Sequence, residues 1–435
     1  MPFTYEQEWY DANVRRADVR RNTRLSYEIL GPLNRDLFDR AVYSFVARHD
    51  AVRMDLLAGT ERTADAAQRV RPLESDERIL RHQDVTAASV TQFDRYASAV
   101  FSRDFLASWL PGERPYSLRL LRYAPEHHAF LATFQNIVFD GRAHHLLAHE
   151  IWRDYTALLR GEPIPQVAPS FAAAARRQRT AFGARHLQKA RASWHDRLGF
   201  AALHPWRRPE HTATGDDGAV RAQLGDQEMA ALRAACERER CTVMQWVVSA
   251  FVRAVAQCTG RSRLSLWTSI DSRRTSEPDV VGMFAGTAPL KILDAAAALP
   301  EVRAEVGGQI LDALRYQQLT AREMKQALQD HAGDGRWLGR DIYVNLRRFE
   351  GDYQGTRHDG GLRTTADAYP VRGITFANTS ALQLRCDEFH NRLFITLLFD
   401  GQRLSRSLAQ AVLASLAAGL STGAPTNTRT RRTSP

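Results

Sequence analysis

The chain has 435 residues, 44% of them hydrophobic and 25% charged, and a formal net charge of +10. That length exceeds one simple core and suits two lobes, the composition is that of a globular protein, and no apolar run reaches the roughly 20 residues that span a bilayer. The positive balance raises nucleic acid as a partner. However, arginines are spread along the whole chain, Lys189, Lys291 and Lys325 are the only lysines, and no basic block is interleaved with aromatics, so steering of an acidic protein partner is the better reading.

The first residues, Met1-Pro2-Phe3-Thr4-Tyr5-Glu6, carry neither a basic nor an apolar leader segment, so no secretory signal and a cytoplasmic placement are expected. Residues 33–46 place Leu37, Phe38, Ala41, Val42 and Phe45 at helical spacing behind Asn34, a capping residue. Residues 129–138 are a compact apolar run suited to a buried strand. After them Leu147, Ile151, Tyr155 and Leu158 fall on one helical stripe. The stretch 205–218, with Pro, His, Gly and Asp, reads as a loop.

A helix is expected from residue 226, and Thr242 with Gln245 forms a capping box ahead of the apolar run 246–255. Residues 263–270, 341–346, 381–384 and 393–399 read as strands, and 404–420 as a closing helix. The Thr-, Pro- and Arg-rich tail 421–435 is expected to be disordered. Alternating helices and strands in both halves predict two α/β lobes, residues 1–175 and 176–420. Cys236, Cys241, Cys258 and Cys386 form no CxxC pair and have no His at ligand spacing, so they read as buried structural thiols and no metal site is expected.

One junction carries chemistry. In Phe134-Gln135-Asn136-Ile137-Val138-Phe139-Asp140-Gly141 a strand meets a helix that continues through Leu146, Leu147, Glu150, Ile151 and Tyr155. This segment resembles the His-His-x-x-x-Asp-Gly motif of condensation domains of non-ribosomal peptide synthesis, within the chloramphenicol acetyltransferase-like superfamily. Gln135 and Asn136 stand in place of the two histidines. Further matches follow in the family's order. Thr4-x-x-Gln7-x-Trp9-Tyr10 resembles Ser-x-Ala-Gln-x-Arg-x-Trp, and Arg48-His49-Asp50-Ala51-Val52-Arg53-Met54 resembles Arg-His-Glu-x-Leu-Arg-Thr. Val281-Gly282-Met283-Phe284-Ala285-Gly286-Thr287 resembles Val-Gly-x-Phe-Val-Asn-Thr, and Tyr316-Gln317-Gln318-Leu319-Thr320 resembles His-Gln-Asp-x-Pro. The quoted matches run from Thr4 to Thr320, and the resemblance is read as covering roughly residues 4 to 420.

The resemblance implies two acetyltransferase-like lobes in a V, with a tunnel between them that carrier-tethered substrates enter from opposite faces. It implies a stand-alone, monomeric domain. No cofactor is held by the chain, and phosphopantetheine arrives on an acyl or peptidyl carrier protein. Asn136 takes the place of the catalytic histidine. An amide does not titrate, but it can orient an amine or hydrogen-bond an oxyanion. Gln135 matches the first, non-catalytic histidine. Asp140 is implied to be structural, paired with an arginine for which Arg53 is the candidate. Gly141 keeps the loop bare where substrate approaches.

His144 and His145, on the following helix, are candidate replacement bases, while His149 shares a face with His145. His127-His128 precedes the strand at the wrong offset and reads as a turn. Asp271, Arg273 and Arg274 loosely match the second lobe's tunnel lining. The expected function is acyl transfer from a carrier-bound acyl or aminoacyl thioester to a small-molecule amine or hydroxyl in natural-product biosynthesis. The alternative is a non-catalytic domain that binds a carrier or recruits a partner enzyme. Neither nucleic acid nor membrane is an expected partner.

Overall fold

Local capping starts several helices where the sequence places them. In the computed structural model, which describes residues 1–17, 22–57, 67–74, 77–107, 112–206, 218–332, 341–349, 355–370 and 380–421, Asn34 caps α2 (Arg35–Arg48) by accepting the Leu37 N–H at 3.2 Å. Thr242 and Gln245 exchange bonds of 3.1 and 2.9 Å at the start of α8 (Val243–Thr259). Residues 207–217 of the loop expected over 205–218, and residues 422–435 of the tail expected to be disordered, lie outside the described residues.

The first half runs α1 (Tyr5–Ala17), β1 (Asn22–Leu30), α2, β2 (Met54–Leu56), β3 (Gln68–Val70), β4 (Leu80–Asp84), α3 (Val90–Leu106), β5 (Tyr116–Ala124), β6 (His127–Gln135) and α4 (Gly141–Leu159). The strand expected over 129–138 ends at Gln135, and residues 136–138 form a turn. His127 and His128 open the strand rather than forming a turn before it. β6 lies mid-sheet between β1 and β5. Phe130, Ala132 and Phe134 pack towards α2 and α4, and Ala129 and Leu131 towards α3. Both faces are covered, which is why this strand is an unbroken buried run rather than an alternating one.

The second half continues with α5 (Phe171–Thr180), α6 (Ala184–Leu203), β7 (Gly218–Leu224), α7 (Asp226–Arg238), α8, β8 (Leu264–Asp271), β9 (Ala285–Ile292), α9 (Leu299–Arg315), α10 (Ala321–Ala332) and β10 (Ile342–Arg348). It closes with β11 (Thr356–Arg357), β12 (Arg363–Ala366), β13 (Leu382–Glu388), β14 (Leu393–Phe399) and α11 (Arg406–Leu420). Its sheet has the order β7-β14-β13-β10-β8-β9, with β10 parallel to both β8 and β13. α8 is buried nearly all round, against α9 and α11, as expected of a helix apolar on every face. Among the described residues no single helix is long and apolar enough to cross a membrane. Cys236 and Cys386 are buried, whereas Cys241 and Cys258 are only half-buried, a correction to the uniform burial expected of the thiols.

The first sheet has the order β11-β12-β1-β6-β5-β4, so two strands from the second half complete it. β12 pairs antiparallel with β1, from Tyr27↔Ala366 to Leu30↔Arg363. Gly31 (φ +107°) passes so close that a Cβ there would lie 2.7 Å from the Gly361 carbonyl oxygen, and His358 stacks on Trp152 at 4.7 Å. A contiguous division at 175/176 therefore needs correction, because residues 356–366 belong to the first sheet. Local sequence does not encode this, since two edges far apart in the chain satisfy each other's backbone groups.

Candidate functional site at the lobe junction

The site is built where β6 gives way to α4. The turn after Gln135 is closed by the Val138 N–H donating to the Gln135 carbonyl at 3.1 Å and the Phe139 N–H donating to the Asn136 carbonyl at 3.3 Å. Phe134 and Phe139 stack at 3.9 Å beneath it. Gln7 of the opening motif donates its Nε2 to the Ile137 carbonyl at 2.9 Å, and Gln68, which no motif singled out, braces Gln7. The side chains of Gln135 and Asn136 are half-buried, and no described residue hydrogen-bonds the Asn136 amide. A fixed backbone thus presents a free amide.

Asp140 is the N-cap of α4, accepting the Ala143 N–H at 2.9 Å. Its partner across the lobes is Arg273. The guanidinium grips the carboxylate with both terminal nitrogens at 2.8 Å, and the Phe284 and Ala285 N–H groups donate to the same carboxylate at 2.9 and 3.1 Å. Arg273 also donates to the Val280 and Gly282 carbonyls at 2.8 and 3.0 Å and to Asp271 at 3.0 Å. Burial opposes ionisation of Asp140, but the charge and bonds of Arg273 outweigh it and hold the carboxyl below its usual range.

The pairing with Arg53 is thereby corrected: Arg53 instead donates to the Arg71 carbonyl at 3.3 Å. The rest of its motif is structural. Arg48 and His49 both bond Glu150, at 2.8 and 2.9 Å, and Asp50 accepts the Phe171 and Ala172 N–H groups at the start of α5. Burial pushes the Glu150 carboxyl up, yet His49 and Arg48 prevail and hold it down at about 2. The signal that would have found Arg273 was Asp271-x-Arg273 directly after a strand. Its distance of 133 residues from Asp140 hid the pairing.

Gly141 is exposed, and a Cβ there would meet nothing within 4 Å. On the next turn His144 bonds Thr23 Oγ1 and lies against Phe139, while His145 lies 6.0 Å from the Phe349 ring. Desolvation, with neighbouring His145, Arg347 and Arg24 adding to it, pulls His144 down to about 3. Desolvation and Arg142, Arg348 and Arg347 take His145 to about 4. Both imidazoles are neutral at pH 7 and hold a proton too weakly to be efficient general bases. His149 is exposed. Arg274 lines a small cavity of about 40 Å³ together with Gln178, Ser272, Arg273, Phe284 and Gln318.

The family model for the condensation domain matches residues 2–346, across this whole junction. The chain belongs to the condensation-domain family. Among its relatives is an isonitrile lipopeptide synthase of Streptomyces coeruleorubidus, 24% identical over 417 residues, covering 90% of this chain and 27% of that protein. Cyclosporin synthetase of Tolypocladium inflatum is 25% identical over 274 residues, 62% of this chain and 2% of that protein. The chain thus spans a small part of the curated relatives it matches.

Solved structures share the fold of this condensation domain. The first condensation domain of the CDA synthetase matches with a TM-score of 0.70 at 16% identity, covering 97% of this chain and 96% of that one. The X-domain in complex with OxyB from teicoplanin biosynthesis matches with a TM-score of 0.69 at 18% identity, covering 97% and 92%. The mixed α/β, two-lobed architecture expected from the sequence is that of chloramphenicol acetyltransferase-like condensation domains.

Proposed function

We propose that this condensation domain joins a carrier-bound acyl or aminoacyl thioester to an amine or hydroxyl nucleophile in natural-product biosynthesis, with Asn136 as the positioning group. The observation that carries this reading is the Asp140–Arg273 grip. It fixes the motif turn between the lobes while the Asn136 amide has no hydrogen-bond partner among the described residues. In the reaction the nucleophile attacks the thioester carbonyl, the thiol of phosphopantetheine leaves, and the proton of the nucleophile passes to that thiolate or to solvent. Asn136 donates to the carbonyl oxygen as it gains charge, or holds the nucleophile. Neither role needs a titrating side chain. The phosphopantetheine is brought by an acyl or peptidyl carrier protein.

The test is amide or ester formation from pairs of carrier-loaded or N-acetylcysteamine thioesters, followed by mass spectrometry. Asn136→Ala should lower the rate about 10²–10³-fold, as removal of one oxyanion donor does, with an unchanged melting temperature. Equal rates, or no product from wild type with any pair, would sink the catalytic role.

A second reading, a non-catalytic domain that binds a carrier or recruits a partner enzyme, is favoured by one observation. Among the described residues beside the motif, His144 and His145 lie at about 3 and about 4, too weakly basic to be efficient general bases. The X-domain from teicoplanin biosynthesis, which shares this fold, was solved in complex with OxyB. Carrier binding by wild type together with absent product formation would select it.

A further inference from the structure

Two of the four thiols meet where α7 turns into α8, a corner of 99°. α7 ends at Arg238 with Glu239 as its C-cap. The Arg240 N–H then donates back to the Glu237 carbonyl at 3.2 Å, and the Cys241 N–H donates to the Cys236 carbonyl at 3.0 Å. Arg240 itself has φ +51°, a left-handed conformation that glycine adopts most easily. Two reversed bonds around one left-handed residue are the Schellman ending of a helix. That ending brings together the side chains at the two positions held here by Cys236 and Cys241. The usual contact at those positions is apolar. In this chain it is a pair of thiols.

The two thiols are hydrogen-bonded to each other, and burial, with the neighbouring thiol adding to it, pushes Cys236 up to about 12. Cys236 is 5% exposed, whereas Cys241 is half-buried and directly precedes Thr242, the N-cap of α8. One thiol is therefore open to a reagent, and the other waits behind it in the last turns of α7.

We infer that Cys236 and Cys241 are a redox-active dithiol, a modification site that a low-molecular-weight disulfide such as glutathione disulfide closes to an intramolecular disulfide. Cys241 reacts first, being the more exposed. Its thiolate attacks one sulfur of glutathione disulfide and expels a glutathione thiolate, leaving glutathione bonded to Cys241. Cys236 then gives up its proton to solvent and attacks the Cys241 sulfur, forming the Cys236–Cys241 bond and expelling the second glutathione. The two protein thiols are oxidised, and one glutathione disulfide is reduced to two glutathione thiols. Burial makes Cys236 a weak attacker on a free reagent, but contact with its target makes the second step intramolecular. The bond would join the end of α7 to the residue ahead of α8 and so pin the corner. Neither thiol belongs to the motif junction, so the site stands apart from the condensation reading.

The test treats the folded full chain with glutathione disulfide, quenches with acid and maps peptides by mass spectrometry. Trypsin cuts after Arg238 and Arg240, so the two cysteines leave on separate peptides and a bond between them is seen directly. A tethered thiol acts at an effective concentration of about 1 mM or more, so with reduced glutathione at about 0.1 mM the linked peptides should exceed the Cys241 adduct at least about tenfold in wild type. Cys236→Ser lacks the resolving thiol and should keep the adduct on Cys241. Cys241→Ser should leave Cys236 unmodified. Cys258 is also half-buried, and burial alone perturbs it. An adduct on Cys258 should persist in wild type, which makes it a control that needs no variant to fold. A lasting adduct on Cys241 of wild type, a bond from Cys241 to Cys258 or Cys386, or no reaction at Cys241 would overturn the dithiol.

Discussion

Replacing Arg273 with Ala removes the clamp between the lobes. The side chain is 4% exposed and that of Asp140 1% exposed, so solvent cannot take over the lost bonds. The change deletes two charge-assisted bonds of 2.8 Å to Asp140, leaves the Val280 carbonyl without the Arg273 donor, and leaves the Gly282 carbonyl with only the Asp140 N–H at 3.3 Å. Asp140 keeps the Ala143, Phe284 and Ala285 N–H groups but loses its countercharge. Breaking one side of a buried pair costs about 3–5 kcal/mol.

Arg53→Ala removes one bond of 3.3 Å to a carbonyl and should cost only about 0.5–1.5 kcal/mol. Guanidinium unfolding followed by the emission of the 8 tryptophans reads both. A double-mutant cycle of Asp140→Ala with Arg273→Ala should show coupling well above the roughly 0.5 kcal/mol expected of independent sites. Equal costs for the two arginine variants, or an additive cycle, would refute the bridge as the element that frames the motif.

Acid should weaken the fold from just below neutrality. His128, His144 and His145 lie at about 4, about 3 and about 4 when folded, against about 6.5 unfolded. The unfolded chain therefore takes up protons first. Stability is full above about pH 6.5 and falls as pH drops towards the folded values. His144→Asn should flatten the fall in melting temperature between about pH 6.5 and 4.5, and superimposable pH curves for variant and wild type would count against burial as its cause. Glu150, at about 2 when folded against an ordinary 4.5, contributes about 3 kcal/mol that is present above the unfolded value and lost as pH falls towards 2. Glu150→Gln should thus cost most at pH 7 and progressively less in acid, as measured by urea unfolding at both ends. A Cβ at Gly282 would meet the Phe171 ring at 2.1 Å. Gly282→Ala should accordingly cost about 1–3 kcal/mol by overpacking, and an unchanged denaturation midpoint would show that α5 yields freely.

The sequence by itself determined what short-range physics controls. Asn34 and Thr242 cap their helices with neighbours three residues away, the apolar stripe of α4 declares its period, and the Gln135-Asn136-x-x-x-Asp140-Gly141 segment marks the strand-to-helix junction. The ordered motifs were enough to expect two acetyltransferase-like lobes. The tertiary structure decided everything that depends on a contact across the chain. It gave Asp140 its partner in Arg273 rather than Arg53. It lent β11 and β12 to the first sheet, because an unpaired edge of β1 was there to be satisfied. It also set the protonation of His144 and His145, since desolvation follows from what surrounds a ring and not from its neighbours in sequence.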